Sequence, residues 1–367
     1  MPNAATTIKA ADFDYHLPPT LIAQKPIDSR EAARLMILNK ATGDISHRHF
    51  FDLPKILSAD DVLVFNDSKV IPARLIGQKE TGGMVEVFLL CHPDRAKRAE
   101  GSLKKESDSS TPSPVGDSGR NDNLWQCLIG GKIKIGQKII LHKNIFAWPR
   151  QKVEDNIWLV EFNVGKKKLF SLGQTPVPPY IKAKAKLADY QTVYARSEGS
   201  VAAPTAGLHF SKPLLAELKK QGVQIEFVTL HVGLGTFAPV KTENILEHKM
   251  HSEQVQIDLA TAKRLNQAKS EGKRIITVGT TTLRTLESFS DVSGHLYAGQ
   301  KSTDIFIYPG YKFKFVNALI TNFHLPKSTL LMLVAALAGK NNIDRAYQDG
   351  IRKKYRFYSF GDGMLIE

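Results

Sequence analysis

The sequence predicts an α/β protein: a main α/β domain with a partly parallel sheet plus an inserted small antiparallel β-barrel domain. Three observations carry this. Strand-like and helix-like stretches alternate through the first and last parts of the chain. Between them, short strand-like runs recur about every ten residues, punctuated by paired glycines. The composition, 42% hydrophobic and 23% charged, is that of a chain able to bury a core, which excludes a wholly disordered polypeptide. The expected boundaries are 1–75 and 173–367 for the main domain and 76–172 for the insert.

Val62-Leu-Val-Phe65 reads as a short buried strand. In the insert, the runs 84–90, 124–129, 137–141 and, past Pro149, 156–162 are separated by Gly82-Gly83, Gly130-Gly131 and Gly136. Residues 93–123 hold almost no large apolar side chain, so they cannot offset their ordering entropy and are expected to form a mobile polar loop. Helix 212–221 has Ser211 as its cap, Leu214, Leu215 and Leu218 on one face, and Gly222 past its end. Strand 223–230 follows. A helix after Asp258 stops near Gly272, and strands 274–278 and 316–320 come next. Pro326-Lys-Ser328 opens a helix that is apolar almost all round and hence buried.

Lys and Arg number 50 against 36 Asp and Glu, a net charge of +14 that points first to a polyanionic partner such as nucleic acid. Two cysteines, Cys91 and Cys127, cannot build a disulfide framework or a four-cysteine zinc site. Asp12, Asp14, His16 and Pro18-Pro19 interrupt any signal-peptide core. The longest apolar run, Leu330 to Ala338, is nine residues, against the ~20 of a membrane helix. A cytoplasmic protein without membrane attachment is expected.

Ligands of parallel α/β sheets bind outside the carboxyl ends of the strands. Here those ends are followed by Asn66-Asp-Ser-Lys69, His231-Val-Gly-Leu-Gly-Thr236, Gly279-Thr-Thr-Thr282 and Thr321-Asn-Phe-His324. The strand-to-helix turn at Gly279 offers backbone amides and a positive dipole end to a carboxylate or phosphate, or else its threonines merely cap the helix. Gly233, Gly235 and Ala238 imitate a dinucleotide fingerprint, but Pro239 follows at once and no amphipathic helix is available. The small-residue stretch 199–210 ends in His209 and suits a ligand lying against backbone, or a tightly packed connection. His248 and His251 stand one helical turn apart, but no acid or cysteine cluster joins them, so no metal site is expected. Two stretches could serve RNA: Lys182, Lys184 and Lys186, and the C-terminal Arg345, Arg352, Lys353, Lys354 and Arg356 with Tyr347, Tyr355, Phe357, Tyr358 and Phe360 interleaved. The same aromatics could equally pack in the core.

Taken in order, several phrases resemble the S-adenosylmethionine:tRNA ribosyltransferase-isomerase family of queuosine biosynthesis. They include Phe13-Asp-Tyr-His-Leu-Pro18, Asn66-Asp-Ser-Lys-Val-Ile-Pro-Ala-Arg74, Tyr190-Gln-Thr-Val-Tyr-Ala195 and Val201-Ala-Ala-Pro-Thr-Ala-Gly-Leu-His-Phe210. His231-Val-Gly-Leu-Gly-Thr-Phe237, Gly279-Thr-Thr-Thr-Leu-Arg284, Thr303-Asp-Ile-Phe-Ile-Tyr-Pro-Gly310, Leu319-Ile-Thr-Asn-Phe-His-Leu-Pro326 and Tyr358-Ser-Phe-Gly-Asp362 complete the set. Two departures stand out: the long insertion at 93–123, and Asn317 where an aspartate is usual.

The resemblance implies a fold with an inserted six-stranded barrel, acting as a monomer without metal or tightly bound cofactor. It implies transfer and isomerisation of the ribosyl group of S-adenosylmethionine onto 7-aminomethyl-7-deazaguanine in the anticodon wobble position of tRNA. Epoxyqueuosine-tRNA, adenine and methionine are the products. A methyltransferase and a non-catalytic tRNA-binding protein are the competing classes. Set against that chemistry, His231 or His209 is the expected base beside the acidified 5′ carbon, and Asp304 is expected to face the sulfonium or amine. Thr280, Thr281 and Thr282 are expected to hold the methionine carboxylate, assisted by Arg284. Gly233, Gly235, Thr205, Asn322 and His324 are further expected contacts of S-adenosylmethionine, and Tyr180, Tyr194 and Phe210 are candidate stacking rings.

Overall fold

The computed structural model describes residues 7–91, 123–153, 156–183, 185–233 and 240–367. The predicted polar loop, Asn123 apart, and Gly235 and Lys184 lie outside them. The chain forms two compact units, one of Met1–Lys69, Val177–Glu198 and Ala202–Glu367, the other of Val70–Pro176 and Gly199–Val201.

The larger unit is built on a mixed nine-stranded sheet. Its strands are β1 (Arg34–Leu38), β2 (Ile45–His49), β3 (Asp61–Asn66), β12 (Gln224–His231), β13 (Glu253–Ile257), β14 (Arg274–Val278), β15 (Gly299–Thr303), β16 (Ala318–Asn322) and β17 (Gly363–Ile366). The order is β15-β13-β12-β3-β14-β16-β17-β1-β2. The middle is parallel: β12 with β3, β3 with β14, and β14 with β16. Every residue of β3 is buried, because a central parallel strand is covered on both faces. Val62 and Val64 enter one core and Leu63 and Phe65 the other, as the two-residue period of a strand requires.

Three helices of this unit begin on side-chain caps. Ser211 Oγ accepts from Leu214 N at 3.1 Å at the start of the helix Lys212–Lys220. Asp258 accepts from Thr261 N at 2.8 Å before Leu259–Ser270, and Ser328 accepts from Leu331 N at 3.2 Å before Thr329–Ala338. At the amino ends of the strands, Arg274 pairs with Asp61 and Glu367, both at 2.7 Å. Asn317 stands at this end too. Its side-chain oxygen accepts from Ile275 N at 2.9 Å, so Asn317 ties β14 to the chain entering β16.

In the smaller unit, β5 (Arg74–Lys79), β6 (Met84–Cys91), β7 (Leu124–Gly130), β8 (Ile139–His142), β9 (Ile145–Lys152) and β10 (Ile157–Phe162) close into a six-stranded antiparallel barrel. Two strands escape the sequence pattern. β9 runs straight through Pro149, which has no N–H to give; the ladder to β10 is irregular there, between Leu159 and Val160, and accommodates it. β5 contains Gly77, where a Cβ would lie 2.6 Å from Ile139 Cγ2, so a glycine in the strand marks close approach rather than a turn. A two-stranded ribbon pairs β4 (Ser68–Val70) with β11 (Ser197–Ser200). Among the described residues no helix is long and apolar enough to cross a membrane.

Candidate active site

The carboxyl ends of β3, β12, β14 and β16 meet at one edge of the parallel sheet, and each contributes to a polar cluster there. Asn66 ends β3. Its Nδ2 donates to Leu230 O at 3.0 Å and to Thr281 Oγ1 at 3.3 Å, while its Oδ1 accepts from Leu230 N at 3.0 Å and Ser68 N at 3.1 Å. Fully engaged, Asn66 is a clamp that fixes β12 and the Gly279 turn relative to β3.

After β14, Gly279 has φ +89°, a conformation that side-chain-bearing residues rarely adopt, and the helix Thr280–Phe289 starts at once. With glycine as its cap, no side chain occupies the first-turn amides. Gly279, Thr280 and Thr281 of this turn line a cavity together with Thr205 and Val232 and with Thr321, Asn322 and His324. Tyr180, Tyr358 and Ser359 complete its polar wall.

Two hydrogen-bonded chains order the cavity floor. Thr205 Oγ1 donates to Asn322 Oδ1 at 2.9 Å, and Asn322 Nδ2 lies 3.2 Å from His209 Nε2. Thr321 Oγ1 lies 2.9 Å from His324 Nε2. Burial pushes the His324 imidazole down to about 3. For His209 burial does the same, to about 3, with the charges of Arg356 and Arg30 adding to it, so both rings are neutral near pH 7. On the wall, Tyr180 OH and Ser359 Oγ are 2.7 Å apart, and the rings of Tyr180 and Tyr358 are 4.9 Å apart. Burial raises the Tyr358 phenol to about 12. Tyr358 has φ +71°, a strained backbone conformation that commonly accompanies functional sites.

The structure therefore gathers Thr280, Thr281, Thr205, Asn322 and His324 around one cavity, with His209 behind Asn322. Other expected residues stand apart from it. Thr282 Oγ1 turns back to Val278 O at 2.8 Å. Arg284 is buried in an ion pair with Glu253, and Glu253 also accepts from Gly233 N at 3.1 Å, so Arg284 and Gly233 are joined behind the site rather than on it. His231 closes β12 one residue before cavity-lining Val232. Asp304 is exposed after β15 and does not line the cavity. Of the candidate stacking rings, Tyr180 lines the cavity, whereas Phe210 and Tyr194 pack on Phe65, each with ring centroids at 4.9 Å. Tyr347, Tyr355, Phe357 and Phe360 are core residues and so are packing, while of the intervening cations Arg345, Arg352, Lys353 and Lys354 are exposed and Arg356 is half-buried. Among the described residues no group of three or more His, Cys, Asp or Glu could hold a metal ion, His248 and His251 included. Sequence reasoning does not place Tyr358 and Ser359 at this cavity; it reads Tyr358 as a ring for RNA or for the core, and both stand in the phrase Tyr358-Ser-Phe-Gly-Asp362.

Comparisons with known proteins identify the family. The profile of the family described as "Queuosine biosynthesis protein" matches residues 10–366. The S-adenosylmethionine:tRNA ribosyltransferase-isomerase of Thermotoga maritima is 46% identical over 363 residues, covering 98% of this chain and all of that one. That of Thermosipho melanesiensis is 46% identical over 362 residues with the same coverage. The crystal structure of the S-adenosylmethionine tRNA ribosyltransferase from Thermotoga maritima superposes with a TM-score of 0.52 and 35% identity, covering 97% of this chain and 100% of the other. The chain belongs to the queuosine biosynthesis family of S-adenosylmethionine:tRNA ribosyltransferase-isomerases, a family of transferases.

Proposed function

We propose that the chain transfers and isomerises the ribosyl group of S-adenosylmethionine onto 7-aminomethyl-7-deazaguanine in the wobble position of tRNA, giving epoxyqueuosine-tRNA, adenine and methionine. The observation that carries this reading is the cavity at the strand ends, where a glycine-capped helix start meets neutral imidazole, amide and hydroxyl groups. Methionine carries a carboxylate, and the first-turn amides of Thr280 and Thr281 suit one. The sulfonium acidifies the neighbouring 5′ carbon, so a neutral imidazole can take a proton there.

In this scheme the base is His231, which ends β12 immediately before cavity-lining Val232 and reaches the substrate from there. Asn322 and His209 are positioning residues, because the Nε2 lone pair of His209 is already engaged by the Asn322 amide. The electron pair left at the 5′ carbon becomes a C4′–C5′ double bond as the bond from C4′ to the ring oxygen breaks. That oxygen becomes a C1′ carbonyl as the bond to adenine breaks, and adenine takes up a proton. The tRNA amine then adds to C4′ and loses a proton, and the electron pair returned to C5′ closes a C–C bond onto the C1′ carbonyl, leaving an alkoxide there. Finally, a ribosyl oxygen closes the epoxide as the C–S bond breaks, and sulfur leaves as the neutral thioether of methionine. S-adenosylmethionine acts as a cosubstrate, with no resident cofactor or metal in the scheme. The +14 charge serves the tRNA, and the working form is a cytoplasmic monomer.

The test is incubation with S-adenosylmethionine and an anticodon stem-loop carrying the aminomethyl base. Adenine should appear in step with the mass gain of the RNA. S-adenosylhomocysteine in its place would reveal a methyltransferase, and absence of any product a binding protein.

A further inference from the structure

A second cavity lies in the same unit and shares a lining residue with the first. Ser359 lines both. His209 lines the second while touching Asn322 of the first, so a thin polar wall separates them. The second cavity holds two guanidinium groups, Arg30 and Arg356, two carboxylates, Asp28 and Asp189, and apolar surface from Leu208 and Phe360.

That mixture selects a ligand class. A phosphate would meet two arginines but also two carboxylates, which repel it. A plain apolar ring would leave four charged groups unanswered. A guanine-like edge matches, because it presents N–H donors at N1 and the 2-amino group beside an acceptor at O6, and carboxylate plus guanidinium read such a pair. Arg30 is oriented for the part. It donates to Leu208 O at 3.2 Å and Ala188 O at 3.1 Å, which fixes the fork and leaves further N–H groups. Arg356 is held by Lys25 O at 3.4 Å and Phe360 O at 2.5 Å. Burial lowers the pKa of both, the mark of poorly solvated cations that gain from a ligand acceptor.

We propose that this second cavity is the nucleobase subsite, with Asp189 accepting from N1–H and the 2-amino group and the guanidinium of Arg30 or Arg356 donating to O6. The proposal rests on the ribosyl-transfer reading above, which needs an acceptor site next to the donor site. It also gives the wall a purpose: the aminomethyl arm of a base seated here would reach toward Ser359 and His209, beyond which the first cavity begins.

The experiment compares the full chain with Asp189→Asn, using stem-loops that carry either 7-aminomethyl-7-deazaguanine or its analogue lacking the 2-amino group. Binding of each RNA, binding of S-adenosylmethionine, adenine release and melting temperature are all measured. We expect wild type to bind the analogue about tenfold more weakly. Asp189→Asn should lose about tenfold for the full base, no longer distinguish the two RNAs, and keep its S-adenosylmethionine affinity and melting temperature. Asp28→Asn, at the exposed rim, is a second probe that is safe for folding. Wild type that releases adenine yet binds both RNAs alike, or an Asp189→Asn variant that still distinguishes them, overturns the subsite. Asp189-dependent binding without adenine release overturns the ribosyl-transfer reading instead, and binding of neither RNA overturns both.

Discussion

Asn322 Nδ2 sits 3.2 Å from His209 Nε2 and 3.5 Å from Asp362 O. A carbonyl oxygen can only accept, so the amide nitrogen faces it and donates to the imidazole as well. The proton of neutral His209 is thereby placed on Nδ1. Asn322→Ala should leave His209 Nε2 and the Thr205 hydroxyl without their partner. A loss of about 1–3 kcal/mol in stability is expected, read as a lowered midpoint in urea. Turnover should fall more than the affinity for either substrate, because the variant loosens geometry and leaves the binding groups in place.

Stability should fall on mild acidification. His209 and His324 are held neutral in the folded chain, with pKa values near 3, whereas an unfolded chain protonates them near the ordinary value of 6.5. Between those values the unfolded state binds more protons, so the contribution is complete above about pH 6.5 and is lost as the pH falls toward 3. The slope is about 1.4 kcal/mol per pH unit for each histidine. His324→Gln should flatten the curve of unfolding free energy against pH over that window. An unchanged slope would show that burial does not hold the ring neutral.

Arg284 and Glu253 form a buried ion pair behind the site. Arg284→Met would strand the Glu253 carboxylate in the core, at a cost of about 3–5 kcal/mol. Arg284→Met with Glu253→Gln should recover much of that loss, since no charge is then left unpaired. Calorimetry on the three variants checks this. S-adenosylmethionine affinity in the double variant should stay near wild type; a strong loss there would restore Arg284 to direct carboxylate binding.

Gly279→Ala tests the turn. A Cβ would have room, its nearest neighbours being Thr281 Oγ1 at 3.5 Å and Ala206 Cβ at 3.9 Å, so the penalty is the left-handed backbone at φ +89° alone. About 1–2 kcal/mol of destabilisation is expected. Weaker S-adenosylmethionine binding should accompany it, because relaxing φ swings the first-turn amides away from the cavity.

Much of this was legible in the residues. The β3 run, the caps Ser211, Asp258 and Ser328, and the polar turns after four strands follow from periodicity and local hydrogen-bond chemistry. The six strands of the barrel were not all legible, since Pro149 and Gly77 are punctuation in sequence but ladder positions in space. Site assignment was harder for a different reason. Thr280, Thr281 and Thr282 are adjacent and chemically alike, yet helical rotation turns the third hydroxyl back to Val278. Arg284 reads as an anion binder until its partner, thirty-one positions away, is seen beside it. Pairings of that range are set by the sheet order, which no local pattern encodes.

The most direct test of the central claim is a crystal structure of the chain with S-adenosylmethionine. The account predicts the methionine carboxylate within hydrogen-bond reach of the Thr280 and Thr281 amides, and the sulfonium in the cavity bounded by Asn322 and His324. S-adenosylmethionine bound elsewhere, with that cavity left to solvent, would contradict it.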